Sequence, residues 1–168
     1  MIEIRPLQPD QWELHKRLRL AALADAPYAF TTQLADAAAR PDAAWAAMTA
    51  QRASDPHGVT YFAFVQGEPC AMAACVLTEL GAEMLAVWVA PAHRQQGVGL
   101  ALVDYARQWA RARGVDMLVV GVYADNVAAV RFYARAGFTP TGVERFATPT
   151  QQRPILLMAM SLAPEQGE

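Results

Sequence analysis

The sequence predicts one α/β domain whose sheet has mixed strand direction. Three strand-like segments between residues 59 and 89 are joined by short turns, which predicts an antiparallel meander. A fourth apolar segment, at residues 117–123, follows an amphipathic helix, and a strand reached through a crossover helix runs parallel to its predecessor. The 168 residues suffice for a single core. We therefore expect one domain over residues 1–163 and a flexible tail at residues 164–168.

A short strand and three helical segments are expected first in the chain. Residues 2–5 alternate apolar and polar side chains, and Pro6 ends this strand. A helix with Asp10 as its N-cap follows, and it ends before Pro27. Two further helical segments are expected at about residues 32–39 and 41–52.

The predicted meander consists of strands at residues 59–65, 70–78 and 83–89. The first strand is rich in aromatic and β-branched residues. Residues 66–68 have the composition of a hairpin turn, and residues 79–81 form the next turn. Hairpin links of this length make neighbouring strands antiparallel.

Two helices alternate with strands in the second half of the chain. The first helix is expected at about residues 98–113, and Gly114 is a natural stop for it. The apolar run at residues 117–123 is typical of a strand that is buried on both faces. The remaining predictions are a helix at residues 127–136 between Asn126 and Gly137, a strand beginning at Phe138, an irregular link at residues 140–154 and a strand at residues 155–162.

Composition and charge exclude several classes of partner. The formal net charge is -2 and no basic block occurs, so nucleic acid is not expected as a partner. The longest apolar runs are much shorter than a membrane span, and the polar N-terminus is unlike a signal peptide. The histidines and cysteines show no metal-ligand spacing. We expect a cytoplasmic protein with no membrane partner and no metal.

The segment after the third meander strand has the composition of an anion-binding loop. It lies between an apolar strand and an amphipathic helix, so free backbone N–H groups and the positive end of the helix dipole coincide there. Glycines in such a loop permit close approach of a phosphate to the backbone. The loop residues are Arg94, Gln95, Gln96, Gly97, Val98 and Gly99.

Neither of two common nucleotide-binding motifs matches this loop. Leu102 occupies the place of the third glycine in the dinucleotide fingerprint, and no Gly-Lys-Ser/Thr run of a P-loop follows. A nucleotide-binding module is therefore an alternative that the spacing does not favour. A tight turn into a helix without a ligand is a second alternative.

A second motif, beyond the next strand, gives the loop its context. Asn126, Ala129, Tyr133, Gly137 and Phe138 form the pattern Asn-x-x-Ala-x-x-x-Tyr-x-x-x-Gly-Phe. Together with the Arg-x-x-Gly-x-Gly loop and the order of elements along the chain, this pattern resembles the GNAT acetyltransferase superfamily. The resemblance implies a GNAT-like fold, in which an antiparallel meander precedes a β-α-β-α-β-β half with one splayed parallel strand pair.

The resemblance also implies acetyl-CoA as the cosubstrate, held mainly by backbone groups. The amides of residues 95–99 would hold its pyrophosphate, and Arg94 would add positive charge. Its pantetheine arm would enter the gap beside the splayed strand and pair with the backbone of Trp88 and Val89, as an added strand does. Asn126 would cap its helix, contact the pantetheine, or do both.

Two residues are the candidates for acid–base catalysis. Tyr133 matches the family's frequent general acid, whose hydroxyl protonates the departing thiolate, and a core aromatic is the alternative. Glu83 lies at the start of the central strand, where several family members carry a glutamate base, and a solvated charge is the alternative. Glu79 is a further candidate base. We interpret His93 as a surface or adenine-side residue.

The acceptor of the acetyl group is expected to be a small-molecule or peptide amine. Tyr28, Phe30 and Trp45 are candidate walls of its pocket, although each also suits a core position. Direct attack in a ternary complex is expected, because no cysteine is placed to carry the acyl group. The alternative is a catalytically silent, acyl-CoA-binding regulatory protein. The chain is expected to be a monomer or a homodimer.

Overall fold

The fold is a seven-stranded sheet with helices on both faces. A computed structural model describes residues 1–164 of the chain. The strands are β1 (Ile2–Pro6), β2 (Gly58–Val65), β3 (Glu68–Thr78), β4 (Gly81–Val89), β5 (Met117–Tyr123), β6 (Thr139–Arg145) and β7 (Ile155–Ser161). The helices are α1 (Trp12–Asp25), α2 (Leu34–Ala38), α3 (Asp42–Ala53), α4 (Val98–Ala112) and α5 (Val127–Arg135).

The strand order across the sheet is β1-β2-β3-β4-β5-β7-β6. Neighbours from β1 to β4 are antiparallel, as hairpin links require. β4 and β5 are parallel and are joined through α4, whereas β7 pairs antiparallel with both β5 and β6. The predicted meander, the crossover through α4 and the mixed α/β sheet with one parallel pair are therefore confirmed.

β2 shows how the sheet supports helices on both faces. Tyr61 and Phe62 are adjacent and buried, yet they belong to different hydrophobic clusters, because successive side chains of a strand point to opposite faces. On the Tyr61 face lies α4, whose Leu102 carbonyl accepts a hydrogen bond from the Tyr61 hydroxyl at 2.8 Å. On the Phe62 face lies α1, which contributes Leu18. The side chain of Trp45 on α3 joins a third buried cluster.

Two sequence-based predictions about element boundaries are wrong. α1 begins at Trp12 rather than next to Asp10, because a turn precedes it in which the N–H of Gln8 donates to Oε1 of Gln11 at 3.0 Å. Residues 140–145 belong to β6 and not to an irregular link. This strand is exposed along almost its whole length, so it carries no apolar pattern that a sequence analysis could detect.

Some expectations about the whole chain stay open. Residues 165–168 of the expected tail lie outside the described residues, and the limits of the domain at residues 1–163 remain a prediction. No helix in the described part of the chain combines the length and apolar character of a membrane span. Cys70 and Cys75 are buried free thiols.

Candidate active site

The site is built where the parallel strands β4 and β5 separate. They pair over three residues only, residues 82–84 of β4 with residues 118–120 of β5. Beyond that point β4 continues to Val89 and β5 continues to Tyr123, without a further register pair between these two fully described strands. The edge of each strand therefore borders a gap in the middle of the sheet.

A β-bulge in β4 accompanies this separation. Met72 of β3 pairs with Trp88 and Ala74 pairs with Leu85, so β4 contains one extra residue between these pairs. Within this stretch Ala86 has a φ of 52°, a left-handed conformation that costs an alanine about 1–2 kcal/mol. A bulge bends its strand and changes the direction of the neighbouring side chains. The sequence contains no glycine here, and the bulge was not predicted.

The gap opens into a cavity of about 410 Å³. This volume lies in the range of small-molecule sites. β4 contributes residues 83–87, and the far end of β5 contributes residues 120–123. Tyr133 and Asn126 line the cavity from α5 and from the turn before it, while α1 and α3 complete the wall. Glu83 and Tyr133, the two candidate catalytic residues, therefore border one cavity.

Glu83 is a buried carboxylate with one ion-pair partner. Only 8% of the residue is exposed, so it is not the solvated charge that the sequence left as an alternative. Its Oε1 accepts a hydrogen bond from Nη1 of Arg145 on β6 at 2.8 Å. A buried charge requires such a partner, because desolvation would otherwise disfavour it strongly. Arg145 could not be predicted as this partner, because it lies 62 residues away in the chain, within the segment where an irregular link was expected.

Tyr133 is buried and held by two aromatic neighbours. Its ring lies edge-on to Phe138, with centroids 5.5 Å apart, and edge-on to Phe132, with centroids 5.0 Å apart. Such contacts fix an aromatic ring in one orientation. Burial raises the pKa of Tyr133 well above that of a free phenol, so the hydroxyl stays protonated and can act as a proton donor. Tyr133 thus belongs to the core and also lines the cavity.

Asn126 caps the helix that carries Tyr133. Its Oδ1 accepts a hydrogen bond from the N–H of Ala129 at 3.3 Å, which satisfies one free donor of the first turn of α5. The predicted capping role is confirmed by this contact. Asn126 also lines the cavity, so a contact with a bound molecule is compatible with the cap.

The loop before α4 presents a row of backbone donors. Gly97 is the N-cap of α4 and has a φ of 83°, while Gln95 has a φ of 60°. In the described chain, none of the N–H groups of residues 95–100 meets an acceptor with normal hydrogen-bond geometry. These donors coincide with the positive end of the 15-residue helix α4. The loop can therefore bind an anion through its backbone.

Gly99 is required by packing between α4 and α5. A Cβ at this position would lie 2.9 Å from Cζ of Phe132, which is closer than any normal contact. Phe132 in turn packs against Tyr133. The structure therefore supplies a reason for Gly99 that is separate from the predicted approach of a phosphate.

Arg94 connects the loop to its surroundings. Its guanidinium pairs with Asp25 at the end of α1, and its Nε donates to the carbonyl of Val89 at 3.0 Å. Nε1 of Trp88 donates to the same Asp25 carboxylate at 2.9 Å. The hydrogen bond from Trp88 and the pairing with Arg94 lower the pKa of Asp25. Since Asp25 balances the charge of Arg94, the backbone donors are the main attraction for an anion in this loop.

The three predicted walls of the acceptor pocket differ in position. Tyr28 is 55% exposed and does not line the cavity. Phe30 lines it, and its ring lies 4.8 Å from the guanidinium carbon of Arg19. Trp45 is fully buried at the inner wall, where His15 lies edge-on to it at 5.6 Å. The cavity thus has an arginine that the sequence analysis did not select.

Three other predicted residues, Trp88, Gln96 and Val98, have side-chain positions set by the protein itself. Trp88 points into the cluster of Leu18 and Phe62 and does not line the cavity, whereas residues 85–87 do. The side chain of Gln96 donates to the carbonyl of Ala92 at 3.0 Å. Val98 is buried at the start of α4. Whether any of these residues contacts acetyl-CoA stays a prediction.

A seven-stranded sheet with one splayed parallel pair, next to a helix N-terminus, is the architecture of an acyltransferase fold. The model of the acetyltransferase (GNAT) family matches residues 18–138 of this chain. The chain therefore belongs to the acetyltransferase (GNAT) family, and the resemblance noted in the sequence is confirmed.

Known relatives agree with this assignment. Streptothricin acetyltransferase of Escherichia coli is 33% identical over 63 residues, which are 38% of this chain and only 36% of that relative. A GNAT-family acetyltransferase of Streptococcus pneumoniae has a TM-score of 0.77 at 22% identity, covering 97% of this chain and 100% of that chain. The Salmonella typhimurium protein yncA, solved with its cofactor acetyl-CoA, has a TM-score of 0.74 at 18% identity, covering 100% and 98%. At these identities the two structures show the shared fold alone.

Proposed function

We propose that this chain is an N-acetyltransferase that moves the acetyl group of acetyl-CoA to a primary amine. The observation that carries the proposal is the separation of β4 and β5 after three residue pairs. It creates a cavity that is bordered both by a buried carboxylate, Glu83, and by a buried phenol, Tyr133. A proton acceptor and a proton donor on one cavity are the groups that amine acylation requires.

The loop before α4 is the proposed site of the CoA pyrophosphate. Six neighbouring N–H groups, at residues 95–100, meet no acceptor of the described chain in normal hydrogen-bond geometry, and they suit a ligand with several anionic oxygens. The gap beside β4 would then receive the pantetheine arm. Trp88 and Val89 are the predicted backbone partners of that arm, and residues 85–87, which line the cavity, are further candidates.

In the proposed direct transfer, Tyr133 donates one proton and Glu83 accepts another. The neutral amine attacks the thioester carbonyl, the new C–N bond forms, and the C–S bond breaks as the tetrahedral intermediate collapses. The departing thiolate takes the proton of the Tyr133 hydroxyl. The proton lost from the amine passes to Glu83, directly or through water. Glu83 is held ready by Arg145, whose Nη1 lies 2.8 Å from Oε1.

The cysteines do not favour a covalent acyl-enzyme. Burial raises the pKa of the Cys75 thiol to about 12, so the nucleophilic thiolate is scarce at neutral pH. Burial also raises the pKa of Cys70. Neither cysteine is among the cavity-lining residues of the described chain. These features support a ternary complex in which amine and acetyl-CoA are bound together.

A free-thiol assay with acetyl-CoA and a panel of primary amines tests the proposal. We expect thiol release that depends on both an amine and the protein, with an acetylated amine of matching amount detected by mass spectrometry. Calorimetry with acetyl-CoA alone separates binding from turnover. Binding of acetyl-CoA without acetylation of any amine would replace the proposal by a silent acyl-CoA-binding protein.

A further inference from the structure

A group of arginines from the helical segments between β1 and β2 lines the cavity. Arg19 projects from α1, Arg52 projects from α3, and Arg40 lies in the connection between α2 and α3. We name these three residues the arginine cluster. The three side chains come from segments that are far apart in sequence, so only the fold brings them together.

The arginine cluster has no acidic partner in the described chain. Six ion pairs occur among residues 1–164, and none of them includes Arg19, Arg40 or Arg52. The one carboxylate among the cavity-lining residues is Glu83, which Arg145 already binds. The cavity wall therefore carries an excess of positive charge that the protein does not balance.

Aromatic rings hold two members of the cluster in place, and Arg19 is half-buried, whereas Arg40 and Arg52 are exposed at the cavity. The guanidinium carbon of Arg19 lies 4.8 Å from the ring centre of Phe30, and that of Arg40 lies 5.6 Å from the ring centre of Trp45. Nη1 of Arg19 is buried and has no hydrogen-bond partner in the described chain. A buried charged donor without a partner is costly, and a bound acceptor atom would remove that cost.

The positive charges of the cluster lie close enough to repel one another. Burial, followed by the nearby Arg52 and Arg40, lowers the pKa of Arg19 to about 10. Burial and the repulsion from Arg40 lower the pKa of Arg52 as well. An anion placed among them would be attracted by each one.

We infer that the acceptor is a primary amine that also carries an anionic group, a carboxylate or a phosphate, which the arginine cluster binds. This inference rests on the proposed function and names the substrate class of the same site. Glu83 and Tyr133 line the same cavity, so an acceptor whose anion lies among the arginine cluster can present its amine to them. Polyamines and aminoglycosides do not suit this cavity, because their added positive charges would be repelled.

Matched pairs of acceptors test the inference. The carboxylate arm compares glycine, leucine and phenylalanine with their α-amides, and the phosphate arm compares O-phosphoethanolamine with ethanolamine. We expect kcat/KM to be at least about tenfold higher for the anionic member of one arm, because hydrogen bonds to charged groups are worth about that factor. The arm that shows this preference identifies the anion. Equal or better use of the neutral members, or of spermidine, would overturn the inference.

Variants of the cluster supply a second readout. Arg19→Gln and Arg52→Gln should each raise KM for the anionic acceptor about tenfold. The KM for acetyl-CoA and the rate with the neutral acceptor should change by less than about twofold. Arg17→Gln is the matched control, because Arg17 is exposed on the same helix and does not line the cavity. An equal loss with both acceptors, or a raised KM for acetyl-CoA, would assign the arginines another role.

Binding of anionic ligands without turnover separates this inference from the proposed function. If no amine is acetylated, the proposed function fails, and calorimetry with N-acetylglycine, N-acetyl-leucine, N-acetylphenylalanine and O-phosphoethanolamine judges the cluster. Binding of one of these anions that Arg52→Gln weakens about tenfold would retain the anion site. Absence of binding, or binding that the variant leaves unchanged, would remove it.

Discussion

The replacement of Gly97 by alanine tests the anion loop with little disturbance of packing. Gly97 has a φ of 83°, and a Cβ at this position would meet only Cδ1 of Ile2, at 4.0 Å. The methyl group therefore fits, and the cost is that of the left-handed backbone alone. That cost is about 1–2 kcal/mol for an L-residue other than glycine. The variant should fold and should lose a few degrees of Tm.

Gly114 provides a control at the other end of the same helix. It has a φ of 71°, and nothing lies within 4 Å of a Cβ built there. Gly114→Ala should therefore cost about as much stability as Gly97→Ala. The two glycines lie at opposite ends of α4. The N–H donors of residues 95–100 surround Gly97 and are far from Gly114.

Affinity for acetyl-CoA should distinguish the two variants. A methyl group on Gly97 would occupy space that a phosphate needs against the backbone, so we expect Kd to rise at least about tenfold, about 1.4 kcal/mol. Gly114→Ala should leave Kd unchanged. Calorimetry and thermal unfolding of the same preparations provide both numbers. Equal affinities in the two variants, at equal loss of Tm, would show that this loop is not the pyrophosphate site.

Four further substitutions address catalysis, packing and pH. Tyr133→Phe should lower kcat about a hundredfold and change KM for acetyl-CoA little, as measured by thiol release, because it removes the proton donor to the thiolate. Glu83→Gln should lower kcat/KM for the amine about a hundredfold, since the proton acceptor is removed. Gly99→Ala should lower Tm more than Gly114→Ala, because its Cβ would lie 2.9 Å from Cζ of Phe132. His15→Gln should reduce the loss of stability between pH 6.5 and 4, measured by urea unfolding. Burial, with nearby arginines, lowers the pKa of His15 from 6.5 to about 4. The contribution of neutral His15 to the free energy of unfolding is thus fully present above pH 6.5. This contribution, about 3 kcal/mol in total, is lost as pH falls toward 4.

The predictions for Tyr133, Glu83 and His15 each have a control or a result that would contradict them. Tyr105→Phe matches Tyr133→Phe, because Tyr105 stacks on Tyr61 and does not line the cavity. An equal fall in kcat for both tyrosine variants would assign Tyr133 to packing. An unchanged kcat/KM in Glu83→Gln would show that another group accepts the proton of the amine. His15→Gln also removes the 2.9 Å contact between Nδ1 of His15 and Oγ1 of Thr49. Urea unfolding at pH 7 measures how much this loss lowers the free energy of unfolding, apart from the effect of pH.

Most of the sheet could be predicted because its strands carry strong local patterns. The apolar run at residues 117–123 reads as a doubly buried strand, and the glycine after α4 marks the end of that helix. The start of α1 was misplaced, because a backbone turn that uses Gln8 and Gln11 takes the place of an Asp10 cap. A strand was expected to begin at Phe138, but its continuation to Arg145 was missed, because an exposed strand has no apolar period.

The candidate site was predictable only where its residues are close in sequence. Two of its parts are local motifs, the loop at residues 94–99 and the cap at Asn126. The structure shows backbone donors in the loop and a capping hydrogen bond at Asn126. The partner of Glu83 and the arginine cluster depend on tertiary contacts over tens of residues, which a single sequence does not specify. The bulge at Ala86 carries no glycine and gave no signal.

β6, one of the two edge strands of the sheet, also affects how molecules of this protein meet. Rows of free N–H and C=O groups on an outer strand can pair with another chain and lead to aggregation. In β6 this row is interrupted, because Pro140 has no N–H and the register with β7 shifts between Pro140 and Glu144. A second chain would therefore find no continuous ladder to extend. Pro140 and this register shift therefore protect the β6 edge of the sheet from edge-to-edge growth.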